Sequence, residues 1–370
     1  MQLNRLSLSN YRNYKSQSLE LPAGAAILAG ENAQGKTNLL ESVFLLTGGR
    51  SWRAARRGDL VAFGQEKARI EADVFSRGRE FHLELELPQS GRMQCAVNGI
   101  KQKRQGELAE IFRCVLFSPE DLSLIREGPA ARRRFLDAAL CQLRPRYGLA
   151  LAEYTKLLEH KSKILRTQEE NPSMLAVLPD FTLRMNQYGA ILIRYRAFYA
   201  RRLAEEAAKI QQAVSGCGER LEIRYRTVSA VQDPEASEQQ IFEWLSEHAK
   251  SHEKAELQSR QCLTGPHKDD LEITVNGAAA RGFASQGQTR TAALALKFAE
   301  REILKDDCGE YPVMLLDDVL SELDSRRQEY LIQQTQGGQV IVTCCEREGR
   351  LRQLKAASFL VEKGAIRPGN

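Results

Sequence analysis

The chain has 370 residues, of which 42% are hydrophobic, so it is long enough for two domains with real cores, and disorder as the main state is excluded. Its net charge of +5 is the small difference between 53 basic and 48 acidic side chains, which permits an anionic partner without demanding one. The eight cysteines form no CxxC pair, and no segment reaches the roughly 20 apolar residues that cross a bilayer. We therefore expect reduced thiols, a cytoplasmic location and no membrane partner.

The first hundred residues are predicted to be rich in strands. Leu3, Leu6 and Leu8 alternate with polar residues, and the apolar run 25–29 stops at Gly30, so we expect two strands that open one sheet. Further on, alternating segments separated by short polar turns predict an antiparallel meander, half exposed, over about residues 69–98.

Helical patterns with heavy Arg and Lys content dominate from about residue 130 to residue 209. Leu151, Leu158 and Leu165 recur every seven residues, and Tyr188, Leu192, Tyr195 and Tyr199 recur at four, three and four, which places each set on one helix face. Packing between neighbouring helices is favoured over a partner-docking surface. A strand pattern at 221–228 and a helical segment at 239–258 come next, and strand patterns return at 271–275, 313–316 and 339–342. The chain is therefore predicted to leave a sheet, build a helical arm and come back.

Residues 30–37 fit the phosphate-binding pattern G-x-x-x-x-G-K-[ST], directly after a predicted strand and before a helical run. Glycines let backbone N–H groups turn toward phosphates, Lys36 reaches the outer phosphates, and Thr37 offers a hydroxyl to Mg²⁺. The motif predicts ATP and Mg²⁺ as cofactors. The candidate nucleotide-binding residues here are Gly30, Glu31, Asn32, Ala33, Gln34, Gly35, Lys36 and Thr37.

A second motif far along the chain supplies two carboxylates. The apolar run 313–316 ends in Asp317 and Asp318, as expected of a buried strand that delivers acids to a sheet edge. We expect Asp317 to hold Mg²⁺ together with Thr37, and Asp318 to polarise the attacking water. Lys36, Asp317 and Asp318 are therefore the candidate catalytic residues, and Thr37 and Asp317 the candidate metal ligands.

A polar helix start lies upstream of these acids, and its chemistry suits an anion. It comprises Ser285, Gln286, Gly287 and Gln288. In ABC-type ATPases, which this chain resembles, the matching element binds the γ-phosphate of a nucleotide on the opposite subunit. The resemblance implies an ATP-dependent homodimer with ATP between the phosphate loop and this signature. A polar loop at 321–324 follows the acids.

The order of these motifs, with an arm between the phosphate loop and the acids, is similar to that of SMC and Rad-type repair ATPases, but the insertion is too short for a long coiled coil. Three stretches resemble the signatures of the RecF family of recombination and replication-repair proteins. These are 119–125 with 128–129 and 132–137, then 264–271, and then 315–331. Residues 10–14 are also similar to the opening shared with SMC-like heads, so the resemblance spans the chain.

The resemblance implies an α/β fold, with an ABC-type P-loop ATPase head formed from both chain ends, 1–118 and 259–370, and an inserted mainly helical arm, 119–258. It implies a bacterial protein of recombinational repair and replication restart that dimerises on ATP at gapped or junction DNA. Its expected partners are double-stranded and gapped DNA and the mediators RecO and RecR, with which it would promote RecA loading. Its expected activity is a weak, DNA-stimulated ATPase whose hydrolysis resets the complex.

The same resemblance suggests roles for single residues. Arg12 corresponds to an arginine that reaches the nucleotide in SMC-like heads, with a solvated side chain as the alternative. Glu120 lies where ABC proteins usually place a glutamine near Mg²⁺ and water, and His267 is interpreted as part of a structural loop rather than a catalytic cluster. Asp318 replaces the usual Glu, and Cys344 stands where transporters often carry a switch histidine, which predicts slow turnover.

Four basic segments could contact a DNA backbone and give salt-sensitive binding. Solvated faces are the alternative for each, and the sequence does not choose among them. They are Arg50, Arg53, Arg56 and Arg57; Lys101, Lys103 and Arg104; Arg132, Arg133 and Arg134; and Arg194, Arg196, Arg201 and Arg202.

Three other functions compete with this one. A transporter energiser predicts a Ser-Gly-Gly-Gln signature and a switch histidine, and the chain has neither. An SMC-like tether would need a much longer coiled coil. A nucleotide-gated interaction module, whose hydrolysis is incidental, stays open.

Overall fold

Runs of strands and runs of helices follow one another along the chain, of which the computed structural model describes residues 1–54, 56–216, 218–320, 323–334, 337–345 and 355–369. The strands are β1 (Gln2–Tyr11), β2 (Tyr14–Glu20), β3 (Ala25–Ala29), β4 (Lys67–Ser76), β5 (Arg79–Pro88), β6 (Gln94–Val97), β7 (Ile100–Lys101), β8 (Cys114–Phe117), β9 (Leu221–Arg226), β10 (Asp270–Val275), β11 (Ala278–Ala279), β12 (Val313–Asp317), β13 (Val340–Cys344), β14 (Ala356–Glu362) and β15 (Ala365–Pro368). The α-helices are α1 (Lys36–Leu45), α2 (Ser123–Arg126), α3 (Pro129–Leu143), α4 (Pro145–Arg166), α5 (Leu178–Ser215), α6 (Glu238–Ser259), α7 (Ala280–Phe283), α8 (Gln286–Cys308) and α9 (Ser325–Gln334). None of these helices is long and apolar enough to cross a membrane.

The chain divides into two compact units. The head unit comprises Met1–Leu122, Lys209–Gly218 and Gln286–Asn370, and the arm unit comprises Ser123–Ala208 and Glu219–Ser285. The arm limits expected from the sequence, 119–258, stay a prediction.

One sheet of the head unit is antiparallel, in the order β2-β1-β4-β5-β6-β7. The predicted meander is confirmed as β4, β5 and β6. Along β5, Leu83, Leu85 and Leu87 are buried, whereas Glu84 and Glu86 between them are only half-buried. This alternation gives the sheet one apolar face and one wet face.

The second head sheet has the order β15-β14-β3-β13-β12-β8 and is parallel from β14 to β8. The expectation that β1 and β3 open one sheet is wrong, because they lie in different sheets. The burial patterns give the reason. β1 alternates, as suits an antiparallel strand with one wet face, whereas Ala26, Ile27 and Leu28 in β3 are all fully buried, as suits a central parallel strand.

Helix α1 packs into the core that both head sheets share. Leu39 and Leu40 of α1 belong to one buried cluster with Leu85 of the antiparallel sheet and with Leu28 and Leu315 of the parallel sheet. The start of α1, which follows the phosphate-binding motif, is therefore fixed by apolar packing on two sides.

The arm unit is built mainly of helices, with a small antiparallel sheet in the order β11-β10-β9. Leu165, Leu192 and Tyr199 are buried, Leu151 and Leu158 are half-buried, and the ring of Tyr195 on α5 contacts that of Tyr147 on α4. The apolar stripes seen in the sequence therefore serve the interior of this unit.

Candidate active site

Four parallel strands of the head unit end at the same edge of their sheet. β3 runs into the 30–37 loop, β12 ends at Asp317, β13 ends at Cys344, and β8 leads into a 3-10 turn that contains Glu120. The carboxyl edge of a parallel sheet is where ligands usually bind. The fold thus collects sequence motifs that are hundreds of residues apart.

The 30–37 loop follows a path that requires glycine at its two ends. Gly30 has φ of 156°, and a Cβ there would lie 2.3 Å from the carbonyl oxygen of Val361. Gly35 has φ of 119°, and a Cβ there would lie 2.6 Å from Nδ2 of Asn13. Both values lie in the region that side chains disfavour, so the two glycines of the motif set the loop's shape.

Lys36 folds back over this loop. Its side chain is buried, and its ammonium donates to the carbonyl oxygen of Gly30 and, at 2.9 Å, to that of Glu31. Lys36 is also the first residue of α1, so its charge lies beside backbone N–H groups that a helix leaves unpaired. Positive charge and free N–H donors in one place suit an anion such as a phosphate.

A hydroxyl from the loop and a carboxylate from β12 meet at the sheet edge. Thr37 Oγ1 donates to Asp317 Oδ1 at 2.9 Å, and Thr343 Oγ1 donates to the same oxygen at 2.8 Å. Burial raises the pKa of Asp317, and the two hydroxyls act in the opposite direction. The next residue, Asp318, has φ of 53° and donates its backbone N–H to Thr343 Oγ1 at 2.9 Å. The left-handed backbone turns the chain sharply at the second acid.

Two further charges lie near Asp317. The charge of Glu120 raises the pKa of Asp317, and that of Arg53 lowers it. Arg53 Nη1 also donates to Oδ1 of Asn38, on α1, at 3.0 Å. The sequence grouped Arg53 with a basic segment that could contact DNA, and no motif signal showed that it also lies near Asp317.

Arg12 is held by a buried carboxylate. Its Nε and Nη2 each donate to Glu41 at 2.9 Å, and Nη1 donates to the carbonyl oxygen of Asp59. Glu41 is fully buried and also accepts from Tyr11 Oη at 2.9 Å and Ser51 Oγ at 2.5 Å. Burial would raise the pKa of Glu41, but these bonds outweigh it and the pKa is lowered. Arg12 is thus braced against α1, and its reach to a nucleotide stays a prediction.

Residues next to Arg12 form hydrogen bonds to the backbone of the phosphate loop, a role that the sequence did not reveal. Asn13 Nδ2 donates to the carbonyl oxygen of Gln34 at 2.8 Å, and Tyr14 Oη donates to that of Gly35 at 2.9 Å. From the C-terminal hairpin, the backbone N–H of Lys363 donates to Gln34 Oε1 at 2.7 Å. The loop is therefore held by both ends of the chain.

The signature element lies at an exposed helix start. Ser285 and Gln286 are exposed, and α8 begins at Gln286. The carbonyl oxygen of Gly287 accepts from Arg327 Nη2 at 3.1 Å. In the 321–324 loop, Ser321 and Glu322 lie outside the described residues, and Asp324 Oδ1 accepts from the backbone N–H of Arg327 at the start of α9.

The 264–271 stretch serves the interior of the arm unit. His267 Nε2 bonds to the carbonyl oxygen of Cys262 at 3.1 Å, and Nδ1 bonds to Tyr154 Oη at 2.7 Å. Burial lowers the pKa of His267 to about 4, so the ring is neutral at pH 7. Asp269 accepts from Arg196 at 3.0 Å and from Tyr225. This arrangement supports the structural interpretation of His267.

Three arginines suggested for DNA are instead used inside the arm unit. Arg132 is buried and pairs with both carboxylate oxygens of Asp270, at 2.7 and 2.9 Å. Arg196 is buried and pairs with Asp137 and Asp269. Arg133 is half-buried and donates to the carbonyl oxygen of Asp269 at 2.5 Å. For Arg132 and Arg196 the expectation of an exposed basic surface is wrong, because runs of basic residues do not reveal which side chains have buried acidic partners.

The chain matches the family model described as the RecF/RecN/SMC N terminal domain over residues 2–362. It is 35% identical to the DNA replication and repair protein RecF of Clostridium tetani over 367 residues, 98% of this chain and 99% of that one. The chain belongs to the RecF family. The RecF protein of Alkaliphilus oremlandii is 36% identical over 369 residues, 99% of this chain and all of that one.

Solved RecF structures share this architecture. A structure described as the recombination mediator protein RecF-ATPrS in the RecFOR pathway superposes with a TM-score of 0.91 at 35% identity, covering 100% of this chain and 98% of that chain. An SMC head from Pyrococcus furiosus has a TM-score of 0.55 at 16% identity, covering 99% of this chain and 95% of that chain, which is a likeness of fold alone. The expected fold class, an ABC-type head from both chain ends with an inserted mainly helical arm, is confirmed.

Proposed function

We propose that this RecF-family chain binds ATP and Mg²⁺ at the carboxyl edge of the head sheet and closes as an ATP-dependent homodimer on double-stranded or gapped DNA. The observation that carries the proposal is the meeting of Lys36, Thr37 and Asp317 around one loop. Solved relatives described as RecF-ATPrS and RecF-ATP support the choice of nucleotide.

The residues present fit the two cofactors. Mg²⁺ prefers oxygen ligands and keeps several waters, and the Thr37 hydroxyl and the Asp317 carboxylate offer two such oxygens side by side. When bound, the ion would neutralise phosphate charge. Lys36 would exchange the loop carbonyls for phosphate oxygens, and the remaining nucleotide contacts are assigned to the 30–37 backbone, to Arg12, and across the dimer to 285–288.

Asp318 is assigned the role of accepting a proton from the attacking water. Its side chain is one methylene shorter than that of Glu, and its backbone is in the left-handed region, so we propose that hydrolysis is slow. We further propose that DNA stimulates this hydrolysis and that hydrolysis resets the complex. This makes the chain a weak ATPase that works as a switch.

The surface next to the signature supports a dimer. Between Asn276 and Gln286 all residues are exposed except Ala280 and Ala284, and Arg281 is the one charged residue in this segment. Phe283 is 78% exposed, two residues before Ser285. An exposed aromatic side chain in a weakly charged segment is typical of a surface that becomes covered.

Two basic segments of the head unit are brought together and support DNA binding. Gln105 Nε2 donates to the carbonyl oxygens of Leu45 and Gly49, each at 3.2 Å, which places Arg104 near Arg50. The exposed basic side chains are Arg50, Arg53, Arg56, Arg57, Lys101, Lys103 and Arg104. We assign the DNA backbone to this surface, the head basic surface.

The wider role follows from the family. Relatives are named DNA replication and repair protein, and solved ones are described as part of the RecFOR pathway. We propose that this chain acts in the bacterial cytoplasm in recombinational repair and replication restart, where it works with RecO and RecR to promote RecA loading.

Fluorescence anisotropy of gapped duplex DNA tests the proposal. Binding should require ATP rather than ADP, weaken with salt, and be lost in both Lys36→Met and Ser285→Arg. Indifference to nucleotide and to both variants would refute the clamp. If Asp318→Asn releases DNA as fast as wild type, hydrolysis is incidental and the chain is a nucleotide-gated interaction module.

A further inference from the structure

A buried charge cluster lies inside the head unit, apart from the residues assigned above. Lys297 and Glu300, both on α8, are 6% and 3% exposed, and Lys297 Nζ lies 2.5 Å from Glu300 Oε2. The third member is Asp121, the residue after Glu120, which is half-buried and lies in the 3-10 turn Pro119–Leu122 that packs against α8. The cluster therefore contains one positive and two negative groups, which a protein interior tolerates only when they are close together.

The ionisation of the cluster depends on this proximity. Burial would lower the pKa of Lys297, but Glu300 and Asp121 outweigh it, so the pKa is raised and the ammonium stays charged. Burial raises the pKa of Asp121 and of Glu300, and Lys297 opposes both shifts. Lys297 thus carries the positive charge that offsets the negative charges of Glu300 and the half-buried Asp121.

Asp121 also shapes the turn that presents Glu120. Its Oδ2 accepts from the backbone N–H of Ser118 at 2.7 Å, and its own N–H donates to the carbonyl oxygen of Ser118 at 3.0 Å. These two bonds close the turn around Pro119 and Glu120. Glu120 is exposed, and its charge acts on Asp317, as described above.

We propose that Lys297 is a positioning residue that ties the Glu120 turn to α8, the helix that begins in the signature. Through Asp121, a shift of α8 on engagement of the signature would move Glu120 relative to Asp317. The cluster thereby links closure of the dimer to the geometry of hydrolysis. This inference rests on the ATPase activity proposed above.

Hydrogen exchange of the nucleotide-free protein, read by mass spectrometry, tests the link without any turnover. Lys297→Met should speed exchange of the amides of Ser118 and of residues 120–122 by about tenfold, a shift of about 1.4 kcal/mol in local opening. Lys305→Met is the matched control, because Lys305 lies on the same helix and also pairs with a glutamate three residues away, but its side chain is 39% exposed. Lys305→Met should leave the exchange rates of these amides unchanged.

Asp121→Asn gives a second variant, which is close in size to the wild type and removes a half-buried negative charge. Alone it should also speed exchange at 118–122. The double variant of Asp121→Asn and Lys297→Met should exchange more slowly at 118–122 than Lys297→Met alone. In Lys297→Met the Asp121 carboxylate has lost its positive partner and favours an open, hydrated turn, and Asp121→Asn removes that charge. Wild-type exchange in Lys297→Met, or a double variant no slower than that single one, would overturn the proposal.

Steady-state ATP hydrolysis separates this link from the general function. Lys297→Met should lower kcat about tenfold while leaving KM for ATP nearly unchanged, and Lys297→Arg should restore it. In a Glu120→Gln background, Lys297→Met should have no further effect. The positioning role would be overturned if the effects of Lys297→Met and Glu120→Gln on kcat were fully additive, or if Glu120→Gln left kcat unchanged. The ATPase proposal would still stand in either case, provided that Lys36→Met abolishes hydrolysis.

Discussion

Thr37 Oγ1 donates a hydrogen bond to Asp317 Oδ1 at 2.9 Å, although 280 residues separate the two in the chain. The pair joins the start of α1 to the end of β12. The two residues meet because β3, β13 and β12 lie side by side in the parallel sheet. The hydroxyl and the carboxylate together offer two of the oxygen ligands that Mg²⁺ prefers.

Asp317→Asn is therefore expected to abolish the effect of Mg²⁺ on ATP affinity and to remove hydrolysis, while weak ATP binding in EDTA persists. Isothermal calorimetry with and without Mg²⁺ measures this. Because burial raises the pKa of Asp317, its carboxylate takes up a proton sooner as pH falls, so Mg²⁺ affinity of the wild type should decline toward acid pH. Unchanged Mg²⁺ dependence in Asp317→Asn would remove Asp317 from the metal site.

The head basic surface should control the salt dependence of DNA binding. Arg50→Ala with Arg104→Ala removes two exposed charges, and the slope of log affinity against log salt should fall by about 2. Arg134→Ala with Arg201→Ala removes two exposed arginines from the arm unit and is the matched control. Anisotropy over a salt series measures the slopes, and a larger loss in the arm variant would move the DNA contact to the arm.

Phe283 should strengthen the ATP-dependent dimer. Phe283→Ala is expected to weaken dimerisation about tenfold, because a buried aromatic side chain at an interface contributes on the order of 1–2 kcal/mol. Ile100→Ala, which truncates a side chain that is 69% exposed in β7, is the control. Light scattering over a range of protein concentrations with ATP gives the dimer dissociation constant of each variant. Equal dimerisation in wild type and Phe283→Ala would show that this side chain stays uncovered.

His267 should make stability depend on pH. Its folded pKa of about 4 lies below the ordinary 6.5, so the unfolded chain binds the proton first as pH falls. Stability is therefore complete above 6.5 and is lost toward 4, by about 1.4 kcal/mol per pH unit and roughly 3 kcal/mol at most. His267→Gln should flatten this slope in urea unfolding, whereas His160→Gln, which removes an exposed imidazole, should retain it. Parallel slopes in wild type and His267→Gln would contradict the buried, neutral ring.

The phosphate loop and the two acids could be predicted from sequence because their chemistry needs fixed neighbours. Gly30 and Gly35 occupy backbone angles that other residues avoid, and Asp317 ends an apolar run that only a buried strand explains. The meander was equally readable, since alternation at β5 reflects one wet face. These features are local, so they leave a local signal.

Features that depend on distant partners left no such signal. Arg132 and Arg196 resemble their exposed neighbours in sequence, yet Asp270 and Asp269 pair with them in the interior. The brace between Arg12 and Glu41 and the cluster around Lys297 were missed for the same reason. Pairing is set by the tertiary fold, and a single sequence does not show which acid meets which base.

A mixing experiment tests the central claim, a dimer that holds ATP between one subunit's phosphate loop and the other's signature. Lys36→Met and Ser285→Arg should each be inactive in ATP hydrolysis and in ATP-dependent DNA binding. In a mixed dimer, the loop of the Ser285→Arg subunit meets the signature of the Lys36→Met subunit, so one of the two sites is intact. The account predicts that mixing the two inactive proteins restores hydrolysis. A shared site would be contradicted by two results together. The mixture of the two variants would hydrolyse ATP no faster than either variant alone, and wild type diluted with either variant would keep its full rate of hydrolysis.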